Sequence, residues 1–325
     1  MKCRPFGKTG WKVSELGFGC WGMGGGWGPR DDHQAQQALR KALELGVDFF
    51  DTAYVYGDGH SERILGEVLR RTQQPFRVAT KVPAKTMTWP ATPQMSVARA
   101  FPTEWIVRCT ETSLKRLGLE RIDLQQMHVW TDAWVQAEEW RRAAQQLKRD
   151  GKIRAFGVSL NDHQPESALK IVAAGEIDSV QVIYNLFDQE PAKKLFPLCR
   201  EHGVAVIARV PFDEGSLTGT FSPTMVFPRS DWRAGYFKGE RLRETCERVE
   251  RLRAYLSPEI PTLSALALKF VLSHPAVSTV IPGMRKPDHV EHNGAAVSGP
   301  ALSSETLQKL KGHAWPRNFY AGAWD

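Results

Sequence analysis

Residues 32–57 read DHQAQQALRKALELGVDFFDTAYVYG. Residues 32–45 carry an amphipathic helical pattern, with Asp32 placed to cap its start and Gly46 to end it. Residues 47–50 are a short apolar run that suits a buried strand, and Asp51 stands directly behind it. A loop then runs through Tyr56 to Gly57. The alternation recurs along the chain. Strand-like runs fall at 13–19, 47–50, 77–80, 122–127, 153–158, 179–183, 204–208 and 278–281. Helical patterns fall at 32–45, 61–70, 103–117, 132–149, 165–174, 192–202 and 262–273. A parallel strand pair needs a crossover, usually a helix, to bring the chain back. Eight such units therefore predict an α/β fold of the (β/α)8 barrel type, a TIM barrel, as one domain over residues 1–325. A doubly wound open sheet would show fewer strands and a phosphate-binding glycine turn opening its first helix.

Local signals support the segmentation. Ser61 is placed to cap the second helix, and Thr103 precedes a helical face of Trp105, Ile106, Cys109, Leu114 and Leu117. Gly151, Gly175 and Gly203 each close a helix before the next strand. The surplus length reads as additions to the barrel. Residues 4–10 suggest an N-terminal hairpin at the barrel bottom, and 87–101 a Pro/Thr-rich insertion. Residues 213–239 form a long loop, 240–255 and 303–311 extra C-terminal helices, and 313–325 an aromatic tail.

Composition excludes several classes. With 42% apolar and 24% charged residues the chain is neither disordered nor collagen-like. No apolar run approaches the ~18–20 residues of a membrane span, and residues 1–11 are polar and basic rather than a secretory signal. Cys3, Cys20, Cys109, Cys199 and Cys246 are odd in number and widely spaced, which favours reduced thiols and a cytoplasmic setting. The formal charge of +7 favours an anionic ligand, but basic residues are scattered among acidic partners, so no nucleic-acid face is expected. His289, Glu291 and His292 lack the spacing of a metal site, and no metal is expected. The charged helix at 240–255 suits solvent and a partner equally, leaving the oligomeric state open.

Two motifs mislead. Residues 17–22 satisfy G-x-G-x-x-G, yet the next helix begins only at Asp32, whereas a dinucleotide fingerprint needs the helix inside the motif. Gly7-Lys8-Thr9 resembles the end of a P-loop but carries Lys2 where the first glycine belongs.

The residues that carry chemistry sit at strand ends. Asp51 and Tyr56 follow the second strand, Lys81 ends the third and His128 the fourth. All four face the C-terminal mouth, where barrels of this kind hold their active sites. A carbonyl receiving hydride develops negative charge on oxygen and needs a proton donor and electrostatic stabilisation. A free tyrosine has a pKa of about 10, and a neighbouring ammonium lowers it. Lys81 is expected to do this to Tyr56, Asp51 to hold Lys81, and His128 to bond the carbonyl oxygen.

Asp51-Thr-Ala-Tyr-Val-Tyr56-Gly57, Lys81 behind Val-Ala-Thr, and Asp123-Leu-Gln-Gln-Met-His128 resemble the aldo-keto reductases. So do residues 7–19, 151–159 and 280–285. The resemblance implies a (β/α)8 barrel, catalysis by Asp51, Tyr56, Lys81 and His128, and a nicotinamide cofactor extended across the mouth. By resemblance Gly19, Trp21 and Asp51 border the nicotinamide, and Ser159 and Gln181 hold its carboxamide. Pro211, Phe212, Ser216 and Leu217 run beneath the pyrophosphate. Gly283, Arg285, His289 and Asn293 hold the adenosine half. Arg285, beside Lys286, resembles the site of a 2′-phosphate, which favours NADP(H) over NAD(H).

Three positions depart from the family pattern. Asn161 stands one residue beyond the usual amide ligand; either it takes over that contact or the contact is not made. Arg209 replaces a stacking tyrosine. A cation there is expected to favour NADPH over NADP⁺, unless Asp213 or Glu214 neutralises it. His289 replaces an arginine, implying a weaker, pH-dependent phosphate grip. Trp21, Trp89 and Trp130, with Tyr56 and His128, are expected to line the substrate pocket, and Trp27 and Trp232 to lie in mouth loops. Flat aromatic walls suit sugars, aryl aldehydes or quinone-like carbonyls. The expected activity is hydride transfer between NADP(H) and a small-molecule aldehyde or ketone, or the corresponding alcohol, with Tyr56 as general acid/base. The alternatives are a cofactor-sensing regulatory subunit of the channel β-subunit type and a Schiff-base lyase using Lys81. The lyase needs a lowered lysine pKa, whereas Asp51 should raise it.

Overall fold

A computed structural model describes residues 1–325 except Pro29, Gly322, Trp324 and Asp325, so part of the expected tail lies outside the described residues. The strands are β1 Cys3–Pro5, β2 Lys12–Ser14, β3 Phe18–Gly19, β4 Phe49–Asp51, β5 Arg77–Val82 and β6 Ile122–Met127. They continue with β7 Ile153–Ser159, β8 Ser179–Ile183, β9 Ala205–Arg209 and β10 Val277–Val280. β1 and β2 form an antiparallel hairpin. β3 to β10 form one eight-stranded sheet in sequence order, every neighbour parallel. Parallel bridges Leu16–Val280 and Gly19–Gly283 join its two ends, closing the (β/α)8 barrel. Gly19 allows that closure: a Cβ there would stand 2.7 Å from the Ile281 carbonyl oxygen.

The helices are α1 Asp32–Glu44, α2 His60–Leu69, α3 Val97–Ala100, α4 Thr103–Leu117, α5 Glu138–Arg149 and α6 Leu169–Ala174. They continue with α7 Leu195–Glu201, α8 Arg233–Tyr236, α9 Arg241–Leu252, α10 Leu263–Ser273, α11 Pro287–Ser298 and α12 Ser304–Lys311. None is long and apolar enough to cross a membrane.

Four expectations are corrected. The single strand at 13–19 is two: Lys12–Ser14 belongs to the hairpin and Phe18–Gly19 to the barrel. Val13 plugs the barrel bottom, and Glu15, tied to Arg4 at 3.0 Å, marks the passage from plug to wall. Asp31, not Asp32, caps α1, accepting from the Gln34 amide at 2.9 Å. Ser61 is no cap, since α2 starts at His60. Its hydroxyl donates to the Cys20 carbonyl at 2.9 Å, tying the loop behind β3 to the start of α2. The helices expected at 132–149 and 165–174 each open with a separate 3-10 turn, Asp132–Trp134 and Pro165–Ala168.

Side chains alternate across each strand, and this places the site. Phe49, Ala79, Leu124, Ala155 and Ile207 point into the barrel, where Phe6 and Val13 of the hairpin region seal the bottom. Two residues further along the same face come Asp51, Lys81, Gln126, Gly157 and Arg209. The barrel interior is thus apolar below and polar at the mouth.

The tail folds back over the mouth. Arg317 ion-pairs with Asp188 at 3.1 Å and with Asp213, and all three side chains are at most 8% exposed. Tyr320 donates to Glu214. Arg317→Ala leaves two buried carboxylates without their cation and should cost about 3–5 kcal/mol. Lys309→Ala, at an exposed helical pair, should cost under about 1 kcal/mol. Urea melts check the contrast, and coincident curves would show the buried cluster to be dispensable.

Candidate active site

Lys81 is the centre of the mouth. Its Nζ donates to Asp51 Oδ1 at 2.5 Å, to the Thr52 carbonyl at 2.7 Å and to the Tyr56 hydroxyl at 3.3 Å. The second Asp51 oxygen accepts from Gln181 at 2.7 Å and Gln126 at 3.4 Å. Lys81 is wholly buried and Asp51 is 2% exposed. Tyr56 sits in the turn behind β4, where its amide donates to the Ala53 carbonyl at 3.1 Å. That turn is braced by the backbone of the glycine loop: a Cβ on Gly24 would stand 2.7 Å from the Gly57 nitrogen. His128 follows β6 directly, and its ring meets that of Tyr56 at 5.7 Å. The sequence thus brings Asp51, Tyr56, Lys81 and His128 to one place.

Burial weighs on the titration of Lys81, Tyr56 and His128. It would lower the Lys81 pKa, but the charges and hydrogen bonds of Asp51 and Tyr56 outweigh it and the value lies above the usual lysine range. Burial raises the Tyr56 pKa, and Lys81 pulls it back only in part. The lowered tyrosine pKa expected from Lys81 alone is therefore corrected: desolvation of the phenolate is the larger effect. Burial, then Lys81 and Arg209, push His128 well below the histidine range, so its imidazole is neutral at pH 7.

Arg209 reaches across β8. Its Nη2 donates to the Leu160 carbonyl at 3.1 Å and to Asp162 Oδ1 at 2.7 Å, while its buried Nε has no partner among the described residues. The other Asp162 oxygen accepts from Trp89 Nε1 at 2.9 Å. Trp89, 41% exposed, stands edge-on to His128 at 5.2 Å. On the opposite rim Trp21 contacts Trp27 at 5.7 Å and Trp232 at 5.4 Å, and Trp232 stacks on Tyr320 at 5.9 Å. The mouth is aromatic on both sides, with charged groups between.

The model of the Aldo/keto reductase family matches residues 15–314. The chain belongs to that family. An aldo-keto reductase of Bacillus subtilis is 30% identical over 316 residues, covering 95% of this chain and 92% of that one. An NADH-specific methylglyoxal reductase of Escherichia coli is 28% identical, covering 92% and 94%. Among solved structures a glycerol dehydrogenase of Gluconobacter oxydans superposes with a TM-score of 0.78 at 29% identity, over 96% of this chain and 94% of that one.

As an aldo/keto reductase the chain is an oxidoreductase of a family that works with nicotinamide cofactors and small carbonyl compounds, and the residues expected to hold the cofactor can be placed. Gly19 and Ser159 end β3 and β7, and Gln181 lies mid-way along β8, paired with Ser159. Gln181 is engaged with Asp51. Pro211 and Phe212 lead into the 3-10 segment Asp213–Thr218, which contains Ser216 and Leu217. Gly283 faces open space, and α11 starts beside it with no side-chain cap at Lys286. An uncapped helix start flanked by Arg285 and Lys286 suits a phosphate. Arg285 gives one donor to the Trp27 carbonyl at 2.7 Å, and its other donors have no hydrogen-bond partner among the described residues. Burial, then Lys286, lowers the His289 pKa, so at neutral pH it adds no charge to that grip. Asn293 is buried on α11.

Three expected roles fail in the geometry. Asn161 exchanges hydrogen bonds with the Ala91 backbone at 2.9 Å and donates to Gln164 at 2.8 Å, so its amide is committed to the 87–101 insertion. Trp130 is fully buried against Trp134 and Trp140, behind the sheet rather than in the pocket. The anion that neutralises Arg209 is Asp162, not Asp213 or Glu214: Asp213 is taken by Arg317, and Glu214 accepts from Tyr320.

Gln126 and Asp162 escaped the sequence reading. Gln126 was findable, being a polar residue in step with inward-facing Leu124. Asp162 was not, because its contacts join loops from separate strands. Glu214 also stands out, since burial lifts its pKa to about 8 against the pull of the Tyr320 hydroxyl. A folded-state value above the unfolded one means the fold binds more protons, so stability is lost as pH rises from about 5 toward 8. Glu214→Gln should therefore raise Tm at pH 9 by several degrees and leave it nearly unchanged at pH 5. Equal shifts at both pH values would show that Glu214 is not held protonated.

Proposed function

We propose that this protein is an NADP(H)-dependent reductase of aldehydes or ketones, also running as the corresponding alcohol dehydrogenase. The observation that carries this reading is Lys81 donating at once to Asp51 and to the Tyr56 hydroxyl beneath a neutral His128. The nicotinamide, when bound, supplies or accepts the hydride. In reduction the Tyr56 hydroxyl gives its proton to the substrate oxygen as negative charge grows there. The Lys81 ammonium stabilises the phenolate so formed, and Asp51 keeps that ammonium charged and fixed. His128, neutral, offers an N–H to the substrate oxygen and adds no charge that would compete with Lys81. Burial of the set strengthens each of these interactions. The raised Lys81 pKa weighs against its use as a Schiff-base nucleophile. Trp21 and Trp89 give the pocket flat walls suited to sugars, aryl aldehydes or quinone-like carbonyls, and the free thiols fit a cytoplasmic setting.

NADPH absorbance followed against an aldehyde panel tests the activity. Tyr56→Phe keeps the ring, removes the proton and should lower kcat by about 10²–10⁴-fold. Turnover untouched by that change would overturn the mechanism. For the cofactor, Arg285→Ala should weaken NADPH binding by about 10–100-fold, the value of a charge-assisted phosphate contact. NADH binding should change by less than about threefold, since NADH lacks the 2′-phosphate. Equal losses for both would show that Arg285 does not read the 2′-phosphate.

A further inference from the structure

Arg209 and Asp162 are a pair with no evident need to be charged. Arg209 ends β9 and Asp162 lies in the loop behind β7, their side chains are 16% and 12% exposed, and they meet at 2.7 Å. Burying an ion pair in place of apolar groups seldom stabilises a fold, so its presence at the mouth calls for another account. The guanidinium is held at two points, Leu160 and Asp162, and has crossed β8 to reach them. It therefore lies over the barrel end where Ser159 and Gln181 stand, with Nε buried and without a partner among the described residues. Its charge lies near enough to Tyr56 and His128 to help hold the Tyr56 pKa down and to lower that of His128. A planar cation fixed in this way presents a face rather than a mobile point charge.

Resting on the cofactor reading above, we propose that the Arg209–Asp162 pair is a platform beside the nicotinamide that sets the relative affinity for the two redox forms. The oxidised ring carries a positive charge and the reduced ring none. Arg209 repels only the oxidised form, and Asp162 offsets that repulsion. Asp162 also holds Trp89, which touches His128, so one carboxylate fixes both the platform and a wall of the substrate pocket.

The sign of each substitution follows. Asp162→Asn leaves Arg209 uncompensated, so NADP⁺ should bind more weakly while NADPH is little changed. The ratio Kd(NADP⁺)/Kd(NADPH) should rise by about tenfold or more, given the size of a unit-charge interaction at partial burial. Arg209→Gln leaves Asp162 alone and should move the ratio the other way. The double variant removes both charges and should return it toward the wild-type value. Equilibrium fluorescence titration with each redox form reads the ratio without any turnover. Ratios within twofold of wild type in both single variants, or shifts of the same sign, would overturn the proposal. Failure of the wild-type protein to bind either form would instead overturn the cofactor reading itself.

Discussion

The buried pair of Lys81 and Asp51 is the constraint around which the rest of the molecule is arranged. Removing two charges from water costs several kcal/mol per ion unless each finds partners. Here the partners are supplied almost completely. Lys81 has a carboxylate, a carbonyl and a phenol, and Asp51 has two glutamine amides besides the lysine. Those groups come from β4 and the turn behind it, β5, β6 and β8. Only a closed barrel brings so many strand ends to one point while keeping the backbone itself fully hydrogen-bonded. The apolar layer beneath, from Phe49 and Leu124 to the plugging Phe6, supplies the burial that carries the polar layer above it.

Much of this was legible because strands have a period of two. Once Phe49 is taken as inward-facing, Asp51 must be as well, and the same step puts Lys81 above Ala79. Asp51, Lys81 and His128 of the proposed catalytic quartet follow from that arithmetic, and the barrel from the alternation of strands with helices, whereas Tyr56 lies in a turn. The two halves of the run at 13–19 were not separable by composition, since Val13 and Phe18 are equally apolar and only their partners differ. Trp89 and Trp130 look alike in sequence, yet one is at the rim and the other behind the sheet. Which side of the wall a tryptophan occupies depends on loop paths that no local pattern encodes.

The mouth is held by loops that brace one another rather than by loops standing alone. The glycine-rich stretch behind β3 leans on the turn that carries Tyr56, and Ser61 ties the two together from below. The glycines of what resembled a dinucleotide fingerprint serve close packing as well: a Cβ on Gly17, Gly19 or Gly22 would crowd Thr279, Ile281 or Arg285. The tail does the same for the far rim. Through Arg317 it gathers Asp188 behind β8 and Asp213 behind β9, so the segment expected beneath the pyrophosphate is fixed by residues at the end of the chain.

The seam between β3 and β10 has a consequence for how the molecule is made. Glu15 and Thr279 meet there although 264 residues separate them. No shorter piece of chain can form that junction, so during synthesis the growing sheet has two open edges until β10 has left the ribosome. Open parallel edges are templates for other chains. The nascent protein is therefore most exposed to aggregation just before β10 emerges, and chaperone demand should be concentrated in that interval rather than spread along the whole of translation.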